Sequence, residues 1–195
     1  MIISIDIDGV LVDRENYQVN KAIEFAKKNG LPFDVVDEKA YNVHNMFGWS
    51  REIFYKFWEE YLWDYATLPP IGGVKEVFKK LKADGHKLVI NTSRWLSETG
   101  NPESEKMRAT VKAWFEKHNL QFDELVFADG DKVSVIKKFK ADIHIEDSPV
   151  EAKPIAELVP VIIFDAKYNE DFNGKNISHA KTWNDVYALI KQKNS

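Results

Sequence analysis

Two aspartates, Asp6 and Asp8, end the apolar run that opens the chain, MIISIDIDGVLVD. Side chains alternate along a strand, so both can point to one side. Close carboxylates repel unless a cation or a shared proton compensates, and a hard divalent ion with oxygen ligands does so. Asp8-Gly9 is also the sequence of a tight hairpin turn. However, GVLVDRENY holds no second strand of matching length before polar residues begin. A second acidic pair, Glu146-Asp147 in HIEDSPVE, ends another apolar run. Ser148-Pro149-Val150-Glu151 reads as a capping box with proline at the first helical position. That cap leaves the two acids unexplained, and acids are poor strand residues. Paired carboxylates at the ends of two strands point to a metal or catalytic site.

Two further stretches suit an anion. In KLVINTSR an apolar strand ends at Thr92-Ser93, where hydroxyls and backbone N–H groups match phosphate oxygens. The plain alternative is a strand end followed by a polar loop. In ADGDKVSV, Lys132 stands at a strand-to-helix junction and can neutralise a phosphate as a point charge. The plain alternative is a turn in which Asp131 caps the helix and the lysine is solvated. The DGD is too short for a calcium loop.

Elements that place these residues follow from periodicity. Short apolar runs at 2–7, 87–91, 125–128, 142–145 and 160–164 read as buried parallel strands. Helical spacing marks 74–84, 104–119, 133–139, 150–158 and 183–191. Strand–helix alternation predicts an α/β fold, a parallel sheet with helices on both faces. The alternation breaks between Arg14 and Pro70, where helices are predicted over 17–29 and 51–65. The predicted organisation is a core of 1–13 and 71–195, with a helical segment of 14–70 inserted after the first strand. Insertions of this kind often form lids.

Composition narrows the function classes. The 195 residues suit one domain with a modest insertion. A net charge of −4 gives no basic field for a nucleic-acid polymer. With no cysteine, disulfides, thiolate zinc sites and cysteine nucleophiles are excluded. The five histidines show no metal-ligand spacing and read as structural or surface groups. No run approaches the roughly 18 apolar residues of a membrane span. The first residues do not read as a signal peptide, so a cytoplasmic location is expected.

In order, the four motifs resemble those of the haloacid dehalogenase superfamily of phosphohydrolases. DIDGVLVD resembles its DxDGxxxD nucleophile motif, Thr92 its strand-end hydroxyl residue, Lys132 its lysine and IEDS its acidic metal motif. The small helical insertion resembles a C1-type cap on a Rossmann-like core. With NTSR and the long helix from Ser104, it looks most like the 5′(3′)-deoxyribonucleotidase branch. That branch usually has two aspartates where this chain has Glu146-Asp147. The resemblance implies a phosphomonoester hydrolase in which Asp6 attacks phosphorus and Asp8 serves as general acid, then base. It implies Mg²⁺ at Asp6, the Asp8 carbonyl and Asp147, with Glu146 orienting a water beyond the direct ligands. Thr92, Ser93 and Lys132 would bind the phosphate. Carrying a proton near neutral pH would require Asp8 to titrate roughly 2–3 units above the ordinary value of about 3.9. Other readings on this fold are a sugar phosphatase, a phosphomutase or a binding module without catalysis.

The insertion is dense in aromatics. Phe54, Phe57, Trp58, Tyr61 and Tyr65 share one helical stripe, which reads as the interior of the insertion. Phe47 and Trp49 precede that helix in a polar context, and Arg94-Trp95 follows the second motif. These four are the expected contacts to a nucleobase or another flat leaving group, since aromatic faces stack bases. An exposed aromatic insertion also suits a homodimer surface, and the oligomeric state stays open.

Overall fold

The computed structural model describes residues 1–193. Six strands form one parallel sheet in the order β3-β2-β1-β4-β5-β6. They are β1 (Ile2–Ile5), β2 (Lys87–Thr92), β3 (Glu124–Phe127), β4 (Ile143–Glu146), β5 (Val161–Phe164) and β6 (Ile177–Ala180). The last is absent from the sequence reading: ISHA is short, partly exposed and polar in its middle, and leaves little pattern. Strand order reverses at β1, where β2 and β4 flank it. In open α/β sheets such a point leaves a crevice at the strands' carboxyl ends.

Alternation along the strands divides the sheet's two faces. One face carries Ile3, Ile5, Leu88, Ile90, Ile143, Ile145 and Ile162, all in the main core. It packs under α4 (Val74–Ala83), α5 (Ser104–His118) and α8 (Trp183–Lys193), with Phe78 and Trp183 edge to face at 5.4 Å. The other face meets α6 (Lys132–Phe139) and α7 (Pro149–Ala156). Its apolar residues form two separate small clusters, around Ile136, Ile155 and Ile163 and around Val89 and Val135. Between them run Ser4, Asn91 and His144, all buried. Ser148 precedes α7 with proline at the first helical position, but its side chain makes no capping bond. The expected capping box is not formed.

After β1 the chain makes no hairpin. Leu11 N–H donates to Ile7 O at 2.8 Å, and the segment feeds directly into α1 (Arg14–Asn29). Asp13 caps that helix by accepting from Asn16 N–H, and Gly30 ends it in the left-handed region. Two more helices, α2 (Val43–Met46) and α3 (Arg51–Tyr65), pack against α1 before α4 begins. Phe25, Trp49, Phe57 and Tyr61 fill the space between them. Among the described residues, no helix is long and apolar enough to cross a membrane.

Candidate active site

Asp6 is the residue after β1, and its N–H donates to Ile145 O on β4 at 3.0 Å, joining the two strand ends. Its carboxylate is buried beside Lys132, whose Nζ lies 2.9 Å from Asp6 Oδ1 and 2.7 Å from Glu146 Oε2. The solvated-lysine reading is therefore wrong: Lys132 is buried between two acids. Glu146 is saturated. Its Oε1 accepts the N–H groups of Asp147 and Ser148, and its Oε2 accepts from Lys132 and His144. Burial opposes ionisation, but the Lys132 charge and the His144 bond outweigh it and hold Glu146 below the usual carboxylate range.

Asp147 completes an acidic cluster. Tyr168 donates its hydroxyl to Asp147 Oδ2, and Asn169 Nδ2 donates to Asp147 O at 2.8 Å. Gly9, at φ +78°, passes so close that any Cβ there would collide with this carboxylate. Asp147 Oδ1 is buried with no protein partner. Burial, then Glu146 and Asp6, push Asp147 well above its ordinary value. Burial likewise pushes Asp6 up to about 7, against the lowering effect of Lys132. Oxygens of Asp6, Glu146 and Asp147 all lie within 4.8 Å of one another. An orphaned oxygen on Asp147, beside an Asp6 that likewise resists ionisation and an ionised Glu146, suits a hard divalent cation.

Asp8 faces the other way. Arg94 Nε reaches its two oxygens at 3.0 and 3.2 Å, Arg94 Nη2 pairs with Oδ1, and Tyr65 donates its hydroxyl to Oδ1 at 2.6 Å. Burial alone would raise the Asp8 pKa, but Arg94 and the hydroxyl bring it below the ordinary value. The expected upward shift is thus corrected, because the buried Arg94 guanidinium, with the Tyr65 hydroxyl and Arg14, outweighs the effect of burial. Arg14, the first residue of α1, is buried over the Tyr41 ring at 3.9 Å and donates to Tyr41 O and Asn42 Oδ1.

Two cavities meet here. One of about 540 Å³ is lined by Asp6, Glu146, Lys132, Ser93 and Tyr168. The other, about 390 Å³, is lined by Phe54, Tyr55, Trp58, Tyr65, Arg94 and Trp95. Asp8, Tyr41, Asn42 and Ser93 line both. The hydroxyls of Thr92 and Ser93 are buried with no protein partner. Phe47 and Trp49 are not at the cleft. They are 3% and 6% exposed, and Trp49 Nε1 donates to Pro32 O at 2.7 Å. They belong to the interior of the helical segment because their rings pack together and Trp49 packs against Phe25 and Phe57. Trp95 does line the aromatic cavity, with its ring 6.2 Å from that of Tyr55.

The family model described as 5′ nucleotidase, deoxy (pyrimidine), cytosolic type C matches residues 1–194. The chain belongs to this family. It is a phosphomonoester hydrolase with the haloacid dehalogenase fold. Solved structures of like fold include a haloacid dehalogenase-like hydrolase from Streptococcus pneumoniae at 14% identity and TM-score 0.59, covering 97% of each chain. A subfamily IA hydrolase from Geobacter sulfurreducens is 17% identical with TM-score 0.58, over 96% of this chain and 98% of the other. A β-phosphoglucomutase from Clostridium difficile is 15% identical with TM-score 0.60, over 99% and 97%. Comparison with curated proteins finds none that matches.

Several residues of this candidate site escape the motifs. Tyr65 was legible only as part of the aromatic stripe, although it stands at the end of α3 where the chain turns back toward the sheet. Tyr41, Asn42 and Tyr168 come from irregular or short segments with no periodic signal. Arg14 directly follows the first motif, a position that could have drawn notice.

Proposed function

We propose that this chain is a Mg²⁺-dependent nucleotidase acting on nucleoside monophosphates through a phosphorylated Asp6. The observation that carries this reading is the meeting of an acidic, lysine-bearing cavity and an aromatic cavity at Asp8. A phosphate fits the first and a flat, amphipathic leaving group fits the second. The unpartnered Ser93 hydroxyl and the Lys132 ammonium line the acidic cavity and would meet phosphate oxygens, with the unpartnered, fully buried Thr92 hydroxyl beside Ser93 in the chain. Asp6, Asp147 and the Asp8 carbonyl would hold the metal, with Glu146 behind them. When bound, Mg²⁺ supplies charge neutralisation at the phosphate and lets Asp6 stand ionised.

Asp6 Oδ attacks phosphorus, the ester oxygen departs, and water later cleaves the acyl phosphate. Lys132 neutralises charge that spreads over the phosphoryl oxygens. Asp8 takes the proton from the attacking water, the task its ionised state suits. To protonate the leaving group first, Asp8 must loosen its pairing with Arg94 and take up a proton from solvent, which it then passes to the departing ester oxygen. The helical segment 14–70 serves as a cap, since Tyr65 brings its hydroxyl from α3 to Asp8. A cytosolic setting follows the family's description.

The test is phosphate release from a panel of ribo- and deoxyribonucleoside monophosphates and sugar phosphates, with and without Mg²⁺. Mg²⁺-dependent turnover that favours nucleotides supports the proposal. Preference for sugar phosphates keeps the mechanism and discards the substrate.

A further inference from the structure

The reaction above makes no use of the polar row that crosses the α6/α7 face of the sheet. Ser4, Asn91 and His144 are each 1% exposed or less, on a face where every other inward residue of the three strands is apolar or acts at the site. Burying polar groups costs free energy unless they are hydrogen-bonded, and splitting a small apolar core to do so costs more. Here the groups are bonded to one another, and the chain of bonds closes on Lys132.

The directions of the bonds can be deduced. Asn91 lies 3.2 Å from the carbonyl of Lys132 and 3.3 Å from Ser4 Oγ. A carbonyl only accepts, so the Asn91 amide NH₂ must face it. The same NH₂ donates to Ser4 Oγ. From the other end, the ionised Glu146 carboxylate only accepts, so the neutral His144 ring carries its proton on Nε2 and its Nδ1 accepts from the Ser4 hydroxyl at 2.9 Å. The Nε2–H donates to Glu146 Oε2 at 3.1 Å. That same oxygen accepts from Lys132 Nζ, and Lys132 reaches Asp6.

We propose that Asn91, Ser4 and His144 are positioning residues: through a one-way chain of hydrogen bonds they fix Glu146, and Glu146 fixes the Lys132 ammonium against Asp6. Lys132 is held from both ends, by Asn91 at its carbonyl and by Glu146 at its nitrogen. The longer reach of glutamate matters here. It lets Oε2 contact both Lys132 and His144 while Oε1 remains on two backbone N–H groups. The inference rests on the phosphate-transfer reading of the site, not on the identity of the leaving group.

Two measurements test it. In ¹⁵N NMR of the wild-type chain, His144 is expected as the neutral tautomer with its proton on Nε2; the Nδ1–H tautomer would overturn the proposal. That arm is independent of any turnover. The second arm uses p-nitrophenyl phosphate, which needs no nucleobase pocket. His144→Leu is expected to lower kcat by about 10- to 100-fold with KM unchanged. His144→Gln, which keeps a donor for Glu146, is expected to recover most of that loss. Equal impairment of Leu and Gln variants, or full kcat in the Leu variant, would overturn the assignment. Ser4→Ala is the milder companion, expected to weaken the Nε2–H preference in the NMR spectrum without losing the fold.

Discussion

At the scale of single residues, two carboxylates of one motif have been given opposite surroundings. Asp6 sits among acids and one lysine, and burial pushes its pKa up to about 7. Asp8 sits against a guanidinium and a phenol and is held ionised. Such separation is how neighbouring acids acquire different tasks. Asp8→Asn is expected to cut turnover by roughly 10²–10⁴-fold with the circular dichroism spectrum near wild type and a lower melting temperature, because the buried Arg94 loses its counter-charge; hydrolysis close to the wild-type rate would refute its proton-transfer role. Gly9→Ala acts through space and backbone together. The position has φ +78° and faces the Asp147 carboxylate. Left-handed backbone costs a residue with a Cβ roughly 1–2 kcal/mol, and the displaced carboxylate costs activity as well. A lower melting temperature with loss of turnover is the expected pair of readings.

At the scale of elements, α3 divides its aromatics between two duties. Phe57 and Tyr61 are buried against Phe25 of α1, and Phe57 also against Trp49 of the loop before α3, whereas Phe54, Tyr55 and Trp58 border the cleft. Trp49, from the loop before the helix, joins the buried set. Trp49→Ala should therefore destabilise the protein by about 3–5 kcal/mol, read as a fall in melting temperature, with little change in KM for the molecules that remain folded. Tyr55→Ala and Trp95→Ala should do the reverse. Each loses a stacking face worth roughly 1–3 kcal/mol per base, seen as a rise in KM for nucleoside monophosphates and none for glycerol phosphate, whose leaving group has no ring to stack. An unchanged KM for nucleoside monophosphates in these variants would remove the aromatic cavity from substrate recognition.

At the scale of the whole molecule, the switch point of the sheet gathers carboxylates from β1 and β4 into one buried cluster. A cation that binds only the folded state stabilises it by mass action, about 2.7 kcal/mol at a hundredfold excess over Kd. Mg²⁺ is thus expected to raise the melting temperature of the wild-type protein, and EDTA to reverse the shift. In Asp147→Asn the response should be lost or greatly weakened. An undiminished Mg²⁺ shift in that variant would place the cation elsewhere.

The local sequence determined a great deal. Apolar runs of strand length alternating with helical spacing define the parallel sheet, because burial on both faces demands such runs. The motif residues Asp6, Asp8, Glu146 and Asp147 stood out because acids at strand ends have no structural excuse, whereas Lys132 stood out only through its place in the ordered set of motifs. The edge strand β6 did not stand out, since half-exposed ISHA lacks the pattern that burial imposes. Only the tertiary structure decided which charge faces which. Arg94 and Asp8 are far apart in sequence and meet across the cleft, reversing the expected direction of the Asp8 shift. It also decided that Phe47 and Trp49 face inward, that Tyr65 reaches Asp8, and that His144 supports Glu146. Periodicity reports how much a side chain is buried, but partners are set by three-dimensional proximity. For charged and aromatic groups, the partner fixes the role.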